Sequence, residues 1–221
     1  MSASLKKYTV LTILFVFPVV IYLFFASGKN NFAKLPVLTT TVSDLSAFET
    51  TDEPVSLQDK ITVLGFWGSA LDRKQGDALN LNEKIYKRFY QFDDFQFVML
   101  LENGQEEQVA QLQAALREGV GTDLKKWNFL YGDQTAISTV FNSLNTPLEL
   151  DEQGSSPYVF IIDKKAQLRG RNDDEDSGTL YGFNAESVAE INNKMVDDVK
   201  VILAEYRLAL KKYNANRKNN P

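Results

Sequence analysis

Apolar residues in this chain fall into three kinds of pattern. One is an uncharged run over residues 8–28, dense in Val, Ile, Leu and Phe and flanked by Lys7 and Lys29. At 1.5 Å per residue, a helix of that length covers about 30 Å, the thickness of a bilayer core. Pro18 near its middle is tolerated in a membrane helix. A second kind is short and rich in β-branched and aromatic residues: 61–67, 95–101, 127–131 and 158–163. These runs predict buried strands. The third kind has helical spacing. Leu79, Leu81, Ile85, Phe89 and Phe92 predict a helix over 77–91. Val109, Leu112, Ala115 and Leu116 predict one over 105–118, stopped by Gly119 and Gly121. A shorter helix is expected over 135–144. A long one is expected over 185–213, with Val188, Ile191, Met195, Val199, Ile202, Tyr206 and Leu210 facing a sheet.

Strands that alternate with helices imply right-handed crossovers and a mostly parallel sheet, with a late antiparallel hairpin near 158–171. In such sheets chemistry gathers at loops outside the carboxyl ends of the strands. The loop after residues 61–67 is therefore the first place to look. Lys6, Lys7 and the terminal amine precede the apolar run. They predict a single-pass, N-in anchor, with residues 1–7 in the cytoplasm and the rest on the periplasmic or outer side of the inner membrane. Ala26, Ser27 and Gly28 resemble a signal-peptidase site, but the run is long for a signal peptide and is read as an uncleaved anchor. Residues 29–57 are expected to be a linker and lead-in, with Leu35 to Leu38 extended. Residues 58–213 are expected to form the folded domain and 214–221 a flexible basic tail.

The 221 residues include 24 basic and 29 acidic side chains, no His and no Cys, for a net charge of −5. That balance argues against nucleic acid as a partner. Without His or Cys there is no imidazole proton shuttle, thiol nucleophile, disulfide or thiolate metal site. Carboxylate, Lys, Tyr or Ser-Lys chemistry would remain.

Leu35, Pro36, Val37 and Leu38, the strand from Val63 to Trp67, Trp127 to Leu130 with Ile137 after it, Phe160 to Asp163, and Tyr181 to Phe183 together resemble the SCO/SenC family in pattern and element order over about residues 35–206. The resemblance implies an α/β, thioredoxin-like three-layer sandwich, a central mixed sheet with helices on both faces, behind one transmembrane helix. The family handles copper in cytochrome c oxidase assembly through two cysteines and a histidine. Their positions fall at about Ser69, Arg73 and Ser155, so all three ligands are absent. Soft donors are what copper(I) requires. The resemblance thus implies a degenerate member with no catalytic, cofactor or metal residues. Ser156 and Pro157 also resemble the cis-proline of thioredoxins; a trans proline opening a strand is the alternative.

Trp67, Ser69, Asp72, Arg73, Ser155 and Pro157 mark the degenerate site and possible partner contacts, although Trp67 also fits a core position. Three functions compete. The first is a non-catalytic, membrane-tethered scaffold or accessory factor that binds an envelope or respiratory-complex protein, with the bilayer held through residues 8–28. The second is a thiol-free enzyme at Asp72, Arg73 and Lys74, for which a buried lysine or gathered carboxylates in a pocket would speak. The third is a metal or small-ligand binder at loop 68–74 or at the acidic run 173–176, whose spacing does not match a calcium loop. Asp93 and Asp94 are read as a connector. The basic residues from Arg207 onward suit a helix C-terminus followed by a frayed tail, or contact with anionic lipid or an acidic partner.

Overall fold

The structure is a computed structural model and describes residues 3–27, 34–50, 54–121 and 123–218. It contains two compact units, residues 1–33 and 34–221. The first holds helix α1 (Ala3–Ser27), which includes Pro18. Its stretch Lys6–Phe25 is long and apolar enough to cross a membrane, and a signal sequence would meet the same criteria.

The second unit is built on a sheet whose centre is β3 (Ile61–Gly68), all eight residues buried. Sequence alternation explains how it sits. Ile61, Val63 and Trp67 enter one core, while Leu64 and Phe66 enter the other. Five strands flank this centre in space: β1 (Val37–Thr39), β2 (Glu49–Thr50), β4 (Phe95–Glu102), β5 (Trp127–Gly132) and β6 (Tyr158–Ile162). With β7 (Leu168–Arg169) the order across the sheet is β1-β7-β6-β3-β4-β5-β2. β3, β4 and β5 run parallel, and β6 and β7 form an antiparallel hairpin beside β3.

Between β3 and β4 the chain crosses one face through α2 (Gln75–Leu81), a π-helical turn (Asn82–Tyr86) and α3 (Lys87–Phe89). Helix α4 (Glu106–Val120) crosses between β4 and β5 and ends on Gly121 in the left-handed region. Helix α5 (Gln134–Ser143), capped by Asp133, covers the opposite face. After β8 (Arg171–Asp174), β9 (Gly178–Leu180) and β10 (Phe183–Asn184), the chain closes with α6 (Val188–Glu190), a π-helical turn (Ile191–Met195) and α7 (Val196–Lys218). A parallel βαβ unit followed by an antiparallel hairpin and a closing helix, with helices on both faces of one mixed sheet, is the thioredoxin-like arrangement.

Several expected boundaries differ. Residues 34–50, expected within a linker and lead-in, belong to the fold: β1 pairs with β7, β2 with β5, and Leu35, Val42, Leu45 and Phe48 are core residues. Their apolar positions are too sparse for a periodic signal, yet the sheet edges they cover lie far away in sequence. The last helix starts at Val188, three residues after Ala185, because Phe183 and Asn184 pair with β6 and Ser187 caps the first turn. It continues through residues 214–218, expected as a flexible tail. Parts of the linker (29–33, 51–53) and tail (219–221) lie outside the described residues, as does Gly28 of the expected anchor.

Arg169 ties three of these elements together. Its guanidinium meets Asp163 at 2.9 Å and Glu205 of α7 at 2.6 Å, and its Nε donates to the Leu35 carbonyl at 2.8 Å. Asp163 is 1% exposed, so an unpaired carboxylate there would be costly. Replacing Arg169→Leu is expected to lower unfolding stability by about 3–5 kcal/mol. Lys200→Ala, which breaks a surface pair with Asp197, should stay within about 0.5 kcal/mol. Urea denaturation of both variants checks the contrast.

Candidate functional site

The carboxyl end of β3 reaches the loop that the fold reserves for chemistry. Here that loop is closed by a crossing segment, residues 151–156. Gly68 has φ +51, and a Cβ at this position would overlap the Gln153 carbonyl. Gly154, at φ +66, passes directly against it. At Gly68 the approach itself requires a glycine, whereas at Gly154 a Cβ would find ordinary room and the left-handed φ is what favours glycine. The Ser156 N–H donates to the Phe66 carbonyl at 2.9 Å and the Ser69 N–H to the Gln153 carbonyl at 2.9 Å. Gln105, at the start of α4, donates to the Gly68 carbonyl at 2.5 Å. The polar groups that a strand end leaves open are thus satisfied from two directions.

Side chains reinforce the crossing. Asp151 Oδ1 accepts the N–H groups of Gln153 and Ser155, each at 2.9 Å, while Oδ2 meets Arg73 Nη2 at 2.9 Å. Arg73 also donates to the Gln153 side chain. Burial opposes ionisation of Asp151, but the Ser155 N–H, the Arg73 guanidinium and the Gln153 N–H outweigh it and hold its pKa below the usual value. Lys74 is 4% exposed. Its Nζ donates to Asp77 Oδ2 at 2.9 Å and to the Ser156 carbonyl at 3.1 Å. Burial pushes the Asp77 pKa up, and Lys74 only partly offsets this.

The sequence-predicted residues divide accordingly. Ser69, Arg73 and the strip containing Ser155 do meet, as the resemblance implies for its ligand positions. Ser69 and Asp72 are exposed, whereas Ser155 is buried. Trp67, weighed as a rim or partner-contact residue, is 1% exposed and packs against Trp127 and Phe129. It is a core residue, because Ile61, Val63 and Trp67 of β3 face the side covered by α2, α4 and α7, opposite α5. The peptide bond before Pro157 is trans, which corrects the cis-proline likeness. Of the two serines before Pro157, Ser156 donates its N–H to the Phe66 carbonyl of β3, and Ser155 is held by Asp151, whose N–H its carbonyl accepts.

Lys74, at the end of the loop 68–74, is a buried clamp. Asp77, Gln105, Asp151 and Gln153 were not singled out from the sequence. Two signals were present: Lys74 and Asp77 stand three apart at a helix start, and Asp151 precedes a glycine turn in an Asx pattern. A cleft of about 350 Å³ opens beside this clamp, where Arg73, Lys74 and Pro157 face Glu149, Asp151 and Glu186. A larger groove of about 880 Å³ lies elsewhere, between residues 41–49 and the start of α5. It holds no residue of the loop, and its size reflects an open surface trough more than a site.

The acidic run 173–176 sits at the β8–β9 turn. Asp174 is held by Lys194 at 2.7 Å and accepts the N–H groups of Asp176 and Ser177. Lys194 also holds Asp176 at 2.7 Å, and its ammonium lowers the Asp174 pKa. Among the described residues no three acidic side chains gather around a point fit for a cation. Asp93 and Asp94 lie between α3 and β4, and Asp94 pairs with Lys164.

No family model matches the chain, and no curated protein matches it in sequence. Among solved structures, an SCO1/SenC family lipoprotein from Bacillus anthracis is 15% identical over 77% of this chain and 99% of its own, with a TM-score of 0.49. BsSco, a member of the Sco family of cytochrome c oxidase assembly proteins, is 12% identical over 77% and 98%, with a TM-score of 0.48. The thioredoxin domain of a thiol-disulfide oxidoreductase from Bacteroides vulgatus is 14% identical over 64% and 86%, with a TM-score of 0.37. SCO/SenC proteins and thioredoxin-like oxidoreductases are thus among the structural neighbours of a chain that itself has no cysteine. The thioredoxin-like fold follows from the strand order and layers described above.

The clamp has a pH signature. Lys74→Met leaves Asp77 buried without its cation, and an expected loss of about 3–5 kcal/mol at neutral pH follows. An acid whose folded pKa is raised favours the native state when protonated. The variant should therefore lose stability as pH climbs from about 3.9 through the raised value. Adding Asp77→Leu should restore most of the loss; chemical denaturation of single and double variants against pH measures it. Asp151 has the opposite sign. Its depressed pKa contributes stability above about pH 3.9 that is lost as pH falls through the folded value. Arg73→Ala should raise the Asp151 pKa and flatten that acid limb, read by NMR titration of the carboxyl.

Proposed function

We propose that this chain is a membrane-tethered, non-catalytic thioredoxin-like protein of SCO/SenC type. In this reading it acts in the cell envelope as a scaffold or accessory factor that holds another protein during respiratory-oxidase assembly. One observation carries the reading. The loop at the carboxyl end of β3 is sealed by residues 151–156 and displays Ser69, Asp72 and Arg73 where a redox or copper site would need sulfur or imidazole. A rigid, polar, solvent-facing loop suits recognition of a partner surface. The apolar helix α1 supports attachment to the membrane, and the sequence pattern shared with SCO/SenC proteins points to oxidase assembly.

A second reading, a lysine-dependent enzyme, draws on buried Lys74 and the carboxylates of the adjoining cleft. A nucleophilic lysine needs a free lone pair. Lys74 instead donates to Asp77 and to the Ser156 carbonyl, which favours the structural role.

The test places a photo-crosslinking amino acid at Ser69 or Asp72 in native membranes, with Glu107 on α4 as the control position. Adducts with an oxidase subunit or assembly factor, specific to the first two positions, are the expected result. Equal adducts from all three positions, or none from Ser69 and Asp72, would count against partner recognition at this loop. Unchanged oxidase content after deletion of the chain would remove the assembly role.

A further inference from the structure

We propose that the turn Asn103–Gly104 is a modification site, where the Asn103 side chain deamidates spontaneously and Glu106 accepts the proton that the reaction must remove. It is the single Asn–Gly pair of the chain. An asparagine loses its amide when the backbone nitrogen of the next residue attacks its Cγ. The reaction needs a following residue without a side chain, open space and a base. Sequence supplies the first, and the fold supplies the other two. Both residues are exposed, in the turn between β4 and α4. Gly104 has φ +88, which glycine adopts freely, and nothing lies within 4 Å of where its Cβ would be. That leaves room for the cyclic imide. The Gly104 N–H donates to Glu106 Oε1 at 3.3 Å, so the proton that must leave points at an acceptor.

Water is the only co-reactant. The Gly104 N–H proton passes to Glu106 as the nitrogen bonds to Asn103 Cγ. The Cγ–Nδ2 bond then breaks, and ammonia leaves with the proton returned by Glu106. Water reopens the imide at either carbonyl, and nothing is oxidised or reduced. Cleavage of the Cγ–N bond yields aspartate in the normal chain. Cleavage between the nitrogen and the Asn103 backbone carbonyl carbon yields isoaspartate, in which the backbone runs through Cβ and Cγ. Isoaspartate adds one methylene to the backbone just ahead of Gln105, whose side chain donates to the Gly68 carbonyl at 2.5 Å and the Glu102 carbonyl at 3.2 Å. The Asn103 N–H is held by the Gly132 carbonyl at 3.2 Å, so the added length is passed forward towards α4. The modification thereby reaches the seal of the β3 loop.

Full-length protein in detergent micelles would be aged at mildly alkaline pH and digested. Each asparagine would be followed by peptide mass spectrometry, and isoaspartate by enzymatic methyl transfer. Asn103 is expected to convert faster than any other asparagine and to yield isoaspartate. Glu106→Gln should slow the conversion about tenfold in the folded protein and leave it unchanged in urea, where the turn is lost. Aged wild-type protein should exchange the Ser69 amide hydrogen faster than aged Asn103→Ser, which cannot form the imide. Conversion at Asn103 no faster than at the other asparagines, or a folded-state rate indifferent to Glu106→Gln, would overturn the inference. Equal Ser69 exchange in the two aged proteins would overturn its reach to the seal.

Discussion

A strand buried on both faces must hand its chain to a helix without leaving backbone polar groups unpaired, and in this protein the rest of the site follows from how β3 does so. At Gly68 the chain turns through the left-handed region and lies directly against Gln153 and Gly154. The crossing supplies partners for Phe66 and Ser69, Gln105 supplies one for Gly68, and residues 151–156 are thereby fixed relative to the sheet. Lys74, Arg73 and Asp151 then close the gap between two segments about eighty residues apart, a separation that gives the contact its structural weight. A loop held at both its backbone and its side chains has little freedom to open.

The same device recurs at the other polar junctions. Arg169 gathers Asp163, Glu205 and the Leu35 carbonyl, and Arg171 with Lys194 gathers Asp174, Asp176 and Asp198. Each cluster joins the β6–β9 region to α7. Burial raises the Asp198 pKa even beside Arg171. Breaking such a pair leaves the surviving charge stranded in low dielectric, so these contacts hold the architecture in one arrangement more than they add net stability. Cationic side chains here hold loops and termini in place.

Much of the framework was legible from the chain alone. Residues 61–67, 95–101, 127–131 and 158–163 are strands because continuous β-branched and aromatic runs of that length have few other ways to bury themselves. Helix α4 stops where Gly121 allows a left-handed residue. Residues 34–50 read only as linker and lead-in, with Leu35 to Leu38 extended, because two- and three-residue edge strands carry no period, and their place depends on a sheet completed by distant segments. The site was legible at its centre, Ser69 and Arg73, and hidden at its periphery. Nothing local to Asp151, Gln153 or Gln105 announces that each faces the end of β3.

Sequence by itself determined the alternation of strands and helices, the apolar N-terminal helix, and a chemistry without sulfur or imidazole, because periodicity and composition are local properties. Tertiary structure alone decided that Lys74 is a buried clamp, that Trp67 is core, and that residues 151–156 seal the loop. Those outcomes depend on which distant backbone passes within hydrogen-bonding distance, and that is set by the packing of the whole sheet.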